Sequence, residues 1–180
     1  MDQDTERPEP SPRRSFLAAF ISVVVGAVPI VIGSLFFLAP LWRKKSDATG
    51  DAEGFVDTGL RLEALPEDGT PMLITVTQDR VNAWNLYPDS PVGSVWIRNV
   101  AGTPLAFSSI CPHLGCAVEF RSAIHDFFCP CHNSTFDLEG TRLNQIPPRN
   151  LDTLPTKLVD GMIWIKYERF RAGIPEKVEV

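Results

Sequence analysis

Residues 15–42 contain no charged side chain, and this run divides the chain before anything else can be read. From position 16 to position 42 it is 27 residues long, against about 20 needed to cross the hydrocarbon core of a bilayer. That is too long for the core of a signal peptide, and no small-x-small cleavage pattern follows it. A buried helix of a globular domain is apolar along one stripe, whereas Phe16, Leu17, Phe20, Ile21, Val23, Val28, Ile30 and Leu35 to Leu38 cover every face. The expectation is one transmembrane helix over residues 15–42, kinked or loosened at Pro29 between Gly26 and Gly33. Trp42 at its end suits the membrane interface.

The flanks suggest an orientation. Residues 1–14 hold prolines 8, 10 and 12 among acids and arginines, which predicts a disordered tail. Arg7, Arg13 and Arg14 precede the run, and Arg43, Lys44 and Lys45 follow it, so counting basic residues favours neither side. Arg13-Arg14-Ser15-Phe16-Leu17 resembles a twin-arginine export signal; the plainer reading is a pair of arginines capping the helix. Both put the N-terminus in the cytoplasm. The expected location is the inner (cytoplasmic) membrane, single-pass, with the remainder on the periplasmic or outer side. Residues 43–54, ending in Ser46-Asp-Ala-Thr-Gly-Asp-Ala-Glu-Gly54, read as a flexible hinge or tether.

Beyond residue 55 short alternating runs are broken by Gly, Pro, Asp and Asn. Strands are expected at 72–77, 81–87, 94–98, 105–107, 118–120, 126–128 and 162–167. No helical stripe of comparable length appears. The fold class is therefore all-β, an antiparallel sandwich or barrel with its working residues on loops. Trp84, Trp96 and Trp164 fall in strand patterns and are expected in the core. Residues 46–180 carry 11 basic against 18 acidic side chains within an overall charge of −5. Such a balance does not suit nucleic acid, whose phosphates need a concentrated basic surface.

All four cysteines and two of three histidines lie between positions 111 and 132. They form two matched boxes, Cys111-Pro-His113-Leu-Gly-Cys116 and Cys129-Pro-Cys131-His132-Asn-Ser134. Core packing accounts for one buried cysteine, not for two such clusters. A structural zinc site needs four ligands, usually with two to four residues between the members of a pair; here there are six candidates and a single-residue gap. A catalytic thiol–imidazole pair would not require duplication. The third reading is a 2Fe–2S cluster with thiolates on one iron and imidazoles on the other, each box supplying one of each. The spacing favours this third reading. His125 lies in a polar connection and is expected to be a solvated loop residue.

The boxes closely resemble the Rieske signatures C-T-H-L-G-C and C-P-C-H-G-S. The extra cysteine in each box resembles the Rieske subunits of cytochrome bc and bf complexes rather than Rieske ferredoxins or ring-hydroxylating oxygenases. This resemblance implies an antiparallel β-sandwich Rieske fold over residues 55–180, with a small cluster-binding subdomain of loops at about 107–148. It implies that Cys111 and Cys129 hold the inner iron, that His113 and His132 hold the outer iron, and that Cys116 pairs with Cys131 in a disulfide. His132 would meet quinol and take its proton, with Leu114 and the proline loop around Pro148 forming the tip. Ser134 would donate to a bridging sulfide. The implied partners are a cytochrome b-type subunit, a c-type cytochrome, and menaquinol or ubiquinol. Two other readings are the small Rieske subunit of another exported oxidoreductase, such as an arsenite oxidase, and a non-redox stapled adhesion domain. Three positions depart from the family pattern: Asn133 stands for Gly, Phe136 for Tyr, and Gln145-Ile-Pro-Pro148 for Gly-Pro-Ala-Pro.

Overall fold

A computed structural model describes residues 12–42, 50–82 and 85–180. The first unit is a single helix, α1 (Pro12–Trp42), unbroken through Pro29. Within it Arg13–Ala39 is long and apolar enough to cross a membrane. The helix begins at Pro12, so Arg13 and Arg14 belong to its first turn and not to the expected tail, which otherwise lies outside the described residues. The side chain of Trp42, the basic residues 43–45 and Trp84 also lie outside them.

The described residues of the second unit form ten strands in three antiparallel sheets. One sheet orders β1 (Phe55–Arg61), β10 (Met162–Lys166) and β9 (Thr156–Val159). The second orders β2 (Met72–Asn82), β3 (Asn85–Val100), β4 (Thr103–Ser108) and β8 (Thr153–Leu154). The third, smaller sheet is β5 (Glu119–Arg121), β6 (Asp126–Cys129) and β7 (Ser134–Phe136).

Strand alternation makes the second sheet a middle layer. Val95, Ile97 and Ala106 are fully buried in a core shared with Ile163 and Ile165 of β10. Their neighbours Trp96 and Phe107, paired across β3 and β4, enter a second core with Phe127, Phe136, Val118 and Leu151. Side chains of successive residues leave a strand on opposite faces, so one pair of strands serves both cores. The first core closes the sandwich, and the second carries the small sheet. Phe127 is its centre, with ring centroids 5.7 Å from each of Trp96, Phe107 and Phe120.

Several expectations need correction. The run 81–87 is not one strand: β2 ends at Asn82 and β3 begins at Asn85, the last register pair of a hairpin. Strands β1, β7, β8 and β9 are not legible in the sequence because they are short or interrupted by polar residues. Trp164 is half-buried on the face of β10 opposite Ile163 and Ile165, not in the core. Of the expected tether at 43–54, residues 43–49 lie outside the described residues, and residues 50–54 are held by local bonds. Asp51 accepts hydrogen bonds from the amides of Glu53 and Phe55 and an ion pair from Lys157, and Gly50 bridges to Val56. That pairing holds the Asp51 carboxyl below its ordinary range and the Lys157 ammonium above its own.

Candidate metal centre

Each box is a closed loop on the small sheet or its edge. In the first, the Cys111 amide donates to Cys116 O at 2.7 Å and the Gly115 amide returns to Cys111 O at 3.0 Å. Gly115 has φ +81°, a left-handed conformation that glycine adopts without strain. An Ile110–Ala117 bridge seals the base. The second box is the loop of the β6–β7 hairpin, with Cys129 and Ser134 as the closing register pair. Asn133 sits at φ +59°, and asparagine is among the few side chains that tolerate this region. The departure from glycine there thus leaves the turn intact.

The two loops meet. Cys116 and Cys131 form a disulfide with Cα atoms 6.5 Å apart, as the resemblance implies. Cys111 and Cys129 are free and buried, at 0% and 2% exposure, as members of the second core. The rings of His113 and His132 stand edge to face with centroids 4.9 Å apart. His113 is half-buried and His132 exposed, so thiols lie inside and imidazoles at the rim. Leu114 and Ile146 are exposed.

This donor set fits an iron–sulfur cluster better than a zinc ion. Burial pushes the Cys111 thiol up, and the neighbouring Cys129 adds to the rise, while the His113 amide and the Ser134 hydroxyl pull the other way. Two adjacent buried thiolates need a cation to offset their charge. Among the described residues, the sulfur grouping within 4.8 Å is Cys116, Cys129 and Cys131. The disulfide has consumed two of those thiols. Cys111, His113 and His132 fall outside that grouping, whereas a single tetrahedral zinc needs its four ligand atoms around one point. Ser134 Oγ is wholly buried with no hydrogen-bond partner of ordinary geometry, beside Cys111. A buried unpaired hydroxyl is costly, and a bridging sulfide would satisfy it.

Residues 63–155 match the model of the Rieske [2Fe-2S] domain. The chain belongs to this family. Its cofactor is a 2Fe–2S cluster. The Rieske chain is 33% identical over 155 residues to the cytochrome b6-f complex iron-sulfur subunit of Synechococcus sp. (strain JA-3-3Ab), covering 84% of each chain. It is also 33% identical over 91 residues to the menaquinol:cytochrome c reductase iron-sulfur subunit of Bacillus subtilis (strain 168), covering 48% of this chain and 53% of that one. Among solved structures, the plasma membrane Rieske protein of Synechocystis PCC 6803 aligns with a TM-score of 0.38 at 31% identity, covering 46% of this chain and 85% of that one.

Sequence reasoning missed the residues that support the Rieske loops from below. Asn144 Nδ2 donates to Asn133 O at 2.7 Å and to Thr135 Oγ1 at 3.0 Å, tying the proline loop to the second box. Arg142 Nη1 donates to the carbonyls of Pro147 and Pro148. Trp96 Nε1 donates to Val118 O at 2.9 Å, just past the first box. None lies in a motif, and each acts through a fold that brings distant segments together. His125 is exposed, as expected, at φ +54°, with its ring stacked on Phe120.

Proposed function

We propose that the chain is the membrane-anchored iron–sulfur subunit of a quinol–cytochrome c oxidoreductase, taking one electron from quinol beside a cytochrome b-type subunit and passing it to a c-type cytochrome. The observation that carries this reading is the Cys116–Cys131 disulfide joining two ligand loops beside two free buried thiols. The relatives named above support it: one is a subunit of a cytochrome b6-f complex and the other of a menaquinol:cytochrome c reductase.

In this reading Cys111 and Cys129 hold the inner iron and His113 and His132 the outer one. When bound, the cluster supplies a one-electron acceptor whose potential is raised by neutral imidazoles in place of two thiolates. The protein's part is positional. The second core keeps water from the thiols, the disulfide prevents the loops from parting, and Ser134 Oγ donates its hydrogen bond inward. His132, exposed at the rim, meets the quinol hydroxyl and takes its proton, because electron and proton leave quinol together. Residues 15–42 anchor the chain in the inner membrane with the N-terminus in the cytoplasm. Arg13 and Arg14 serve twin-arginine export, and the stretch between the anchor and residue 55 is the tether that lets residues 55–180 reach two docking places. Purification from native membranes tests the assignment. A b-type haem protein is expected to co-purify; a cluster-bearing chain that isolates without b-type haem would contradict it.

Phe136 suits menaquinol as the electron donor. The side chain is fully buried and lacks the hydroxyl of the family's tyrosine. One hydrogen bond fewer to the cluster leaves its reduced, more negative state less stabilised. The potential is expected below that of tyrosine-bearing relatives, within the Rieske range of about −150 to +300 mV. Phe136→Tyr raises it by about 40 mV if the new bond is about 1 kcal/mol stronger in the reduced state. Protein-film voltammetry measures this, and an unchanged or lower potential would contradict the reading.

A further inference from the structure

The family match ends at residue 155, yet the chain continues and folds back onto the site. Residues 169–180 form a hairpin closed by Arg171 N to Val178 O and Val180 N to Arg169 O, both 2.9 Å, around a Phe170–Glu179 bridge. Its tip does two things. The Gly173 amide donates to Pro112 O at 2.9 Å, inside the first box. The neighbouring Ile174 O accepts from Arg149 Nη1 at 2.6 Å, on the proline loop.

We propose that Arg149 and the C-terminal hairpin form a brace that holds the first ligand box in place, making Arg149 a positioning residue for the cluster site. Arg149 is well fixed for this. Its Nε and Nη2 donate to the two carboxylate oxygens of Asp152 at 2.8 and 2.7 Å, and the pair is 9% and 5% exposed. Asp152 O accepts from the Ser108 amide at the end of β4, so the fork is rooted in the middle sheet. Lys177 Nζ adds a bond to Thr153 O at 2.7 Å while lying over the Phe170 ring. A continuous path therefore runs from β4 through Asp152, Arg149 and Ile174–Gly173 to Pro112. None of these bonds reaches the second box.

The guanidinium donates to three acceptors at once; a lysine ammonium keeps the charge but not the fork. Gly173 is equally specific. It sits at φ +81°, and a side-chain carbon there would stand 3.6 Å from His113 O. The second box has its own support, from Asn144. The role for the cluster rests on the ligand assignment proposed above, whereas the brace itself is read from the protein's own bonds.

Hydrogen exchange on the full-length, cluster-loaded protein in detergent tests this, comparing wild type with Arg149→Lys and Gly173→Ala. Both variants are expected to speed exchange in 111–117 by about tenfold, the change that about 1.4 kcal/mol of local opening produces, and to leave 126–136 unchanged. Iron release to a chelator quickens in parallel. A rise shared equally by both boxes would mean that the variants act on global stability and would overturn the proposal. So would no change in either. Wild-type protein without iron would instead defeat the ligand assignment, leaving the exchange comparison to judge the brace.

Discussion

Cys129→Ser protein is expected to contain no 2Fe–2S cluster, with iron and acid-labile sulfide at background and the visible absorption gone. Cys129 is 2% exposed within an aromatic core, so its sulfur has no solvent path to a substitute ligand. A serine oxygen is a poor replacement for a soft thiolate and leaves a buried hydroxyl without a partner. The informative control is Cys116→Ser combined with Cys131→Ser. That pair lies 15 residues apart and closes a loop worth about 3 kcal/mol in the unfolded chain. The double variant should bind iron while unfolding at lower denaturant. Iron retained by Cys129→Ser, or lost equally in both, would show that the cysteines are divided wrongly between ligation and stapling.

The second large effect lies below the site. Gly140→Ala is expected to destabilise the protein by roughly 2–5 kcal/mol, combining a left-handed backbone with an overpacked contact. Gly140 has φ +79°, and an added Cβ would stand 2.6 Å from Cε1 of Phe107. Phe107 cannot yield, being fully buried and set edge-on to Phe127. The turn is fixed from both sides: Asp137 Oδ1 accepts from the amides of Glu139 and Thr141, and Gly140 O accepts from the Leu151 amide. Gly102→Ala separates the two contributions. Its φ is +83°, yet nothing lies within 4 Å of the added carbon, so it should cost only the backbone share of about 1–2 kcal/mol. Denaturant unfolding reads both. Equal losses would mean that Phe107 gives way and that the second core is softer than its packing implies.

The site is legible in the sequence to the extent that it is local. Two Cys/His boxes are contiguous motifs, and their spacing alone favours split ligation before any contact is known. The pairing of Cys116 with Cys131 comes from family resemblance, because spacing does not fix connectivity. The sandwich is legible through strand alternation in β2, β3 and β10, where apolar residues recur at period two. The middle layer is not. Trp96 and Val95 look alike as strand residues, and only the fold shows that they face different cores. Strand β7 is three residues long, too short for any period to register. The supports Arg142, Asn144 and Arg149 are ordinary loop residues whose roles depend on partners reached only after folding. Trp164 shows the limit from the other side: its strand is plain in the sequence, but alternation leaves the larger residue on the outer face.

The functional reading stands on one mixed-ligand iron–sulfur cluster held between the two boxes. The most direct measurement is an electron paramagnetic resonance spectrum of the dithionite-reduced protein, with iron and acid-labile sulfide counted on the same sample. A rhombic signal of low average g is expected, with about two irons and two sulfides per chain. A silent sample containing zinc, or no metal at all, would contradict it.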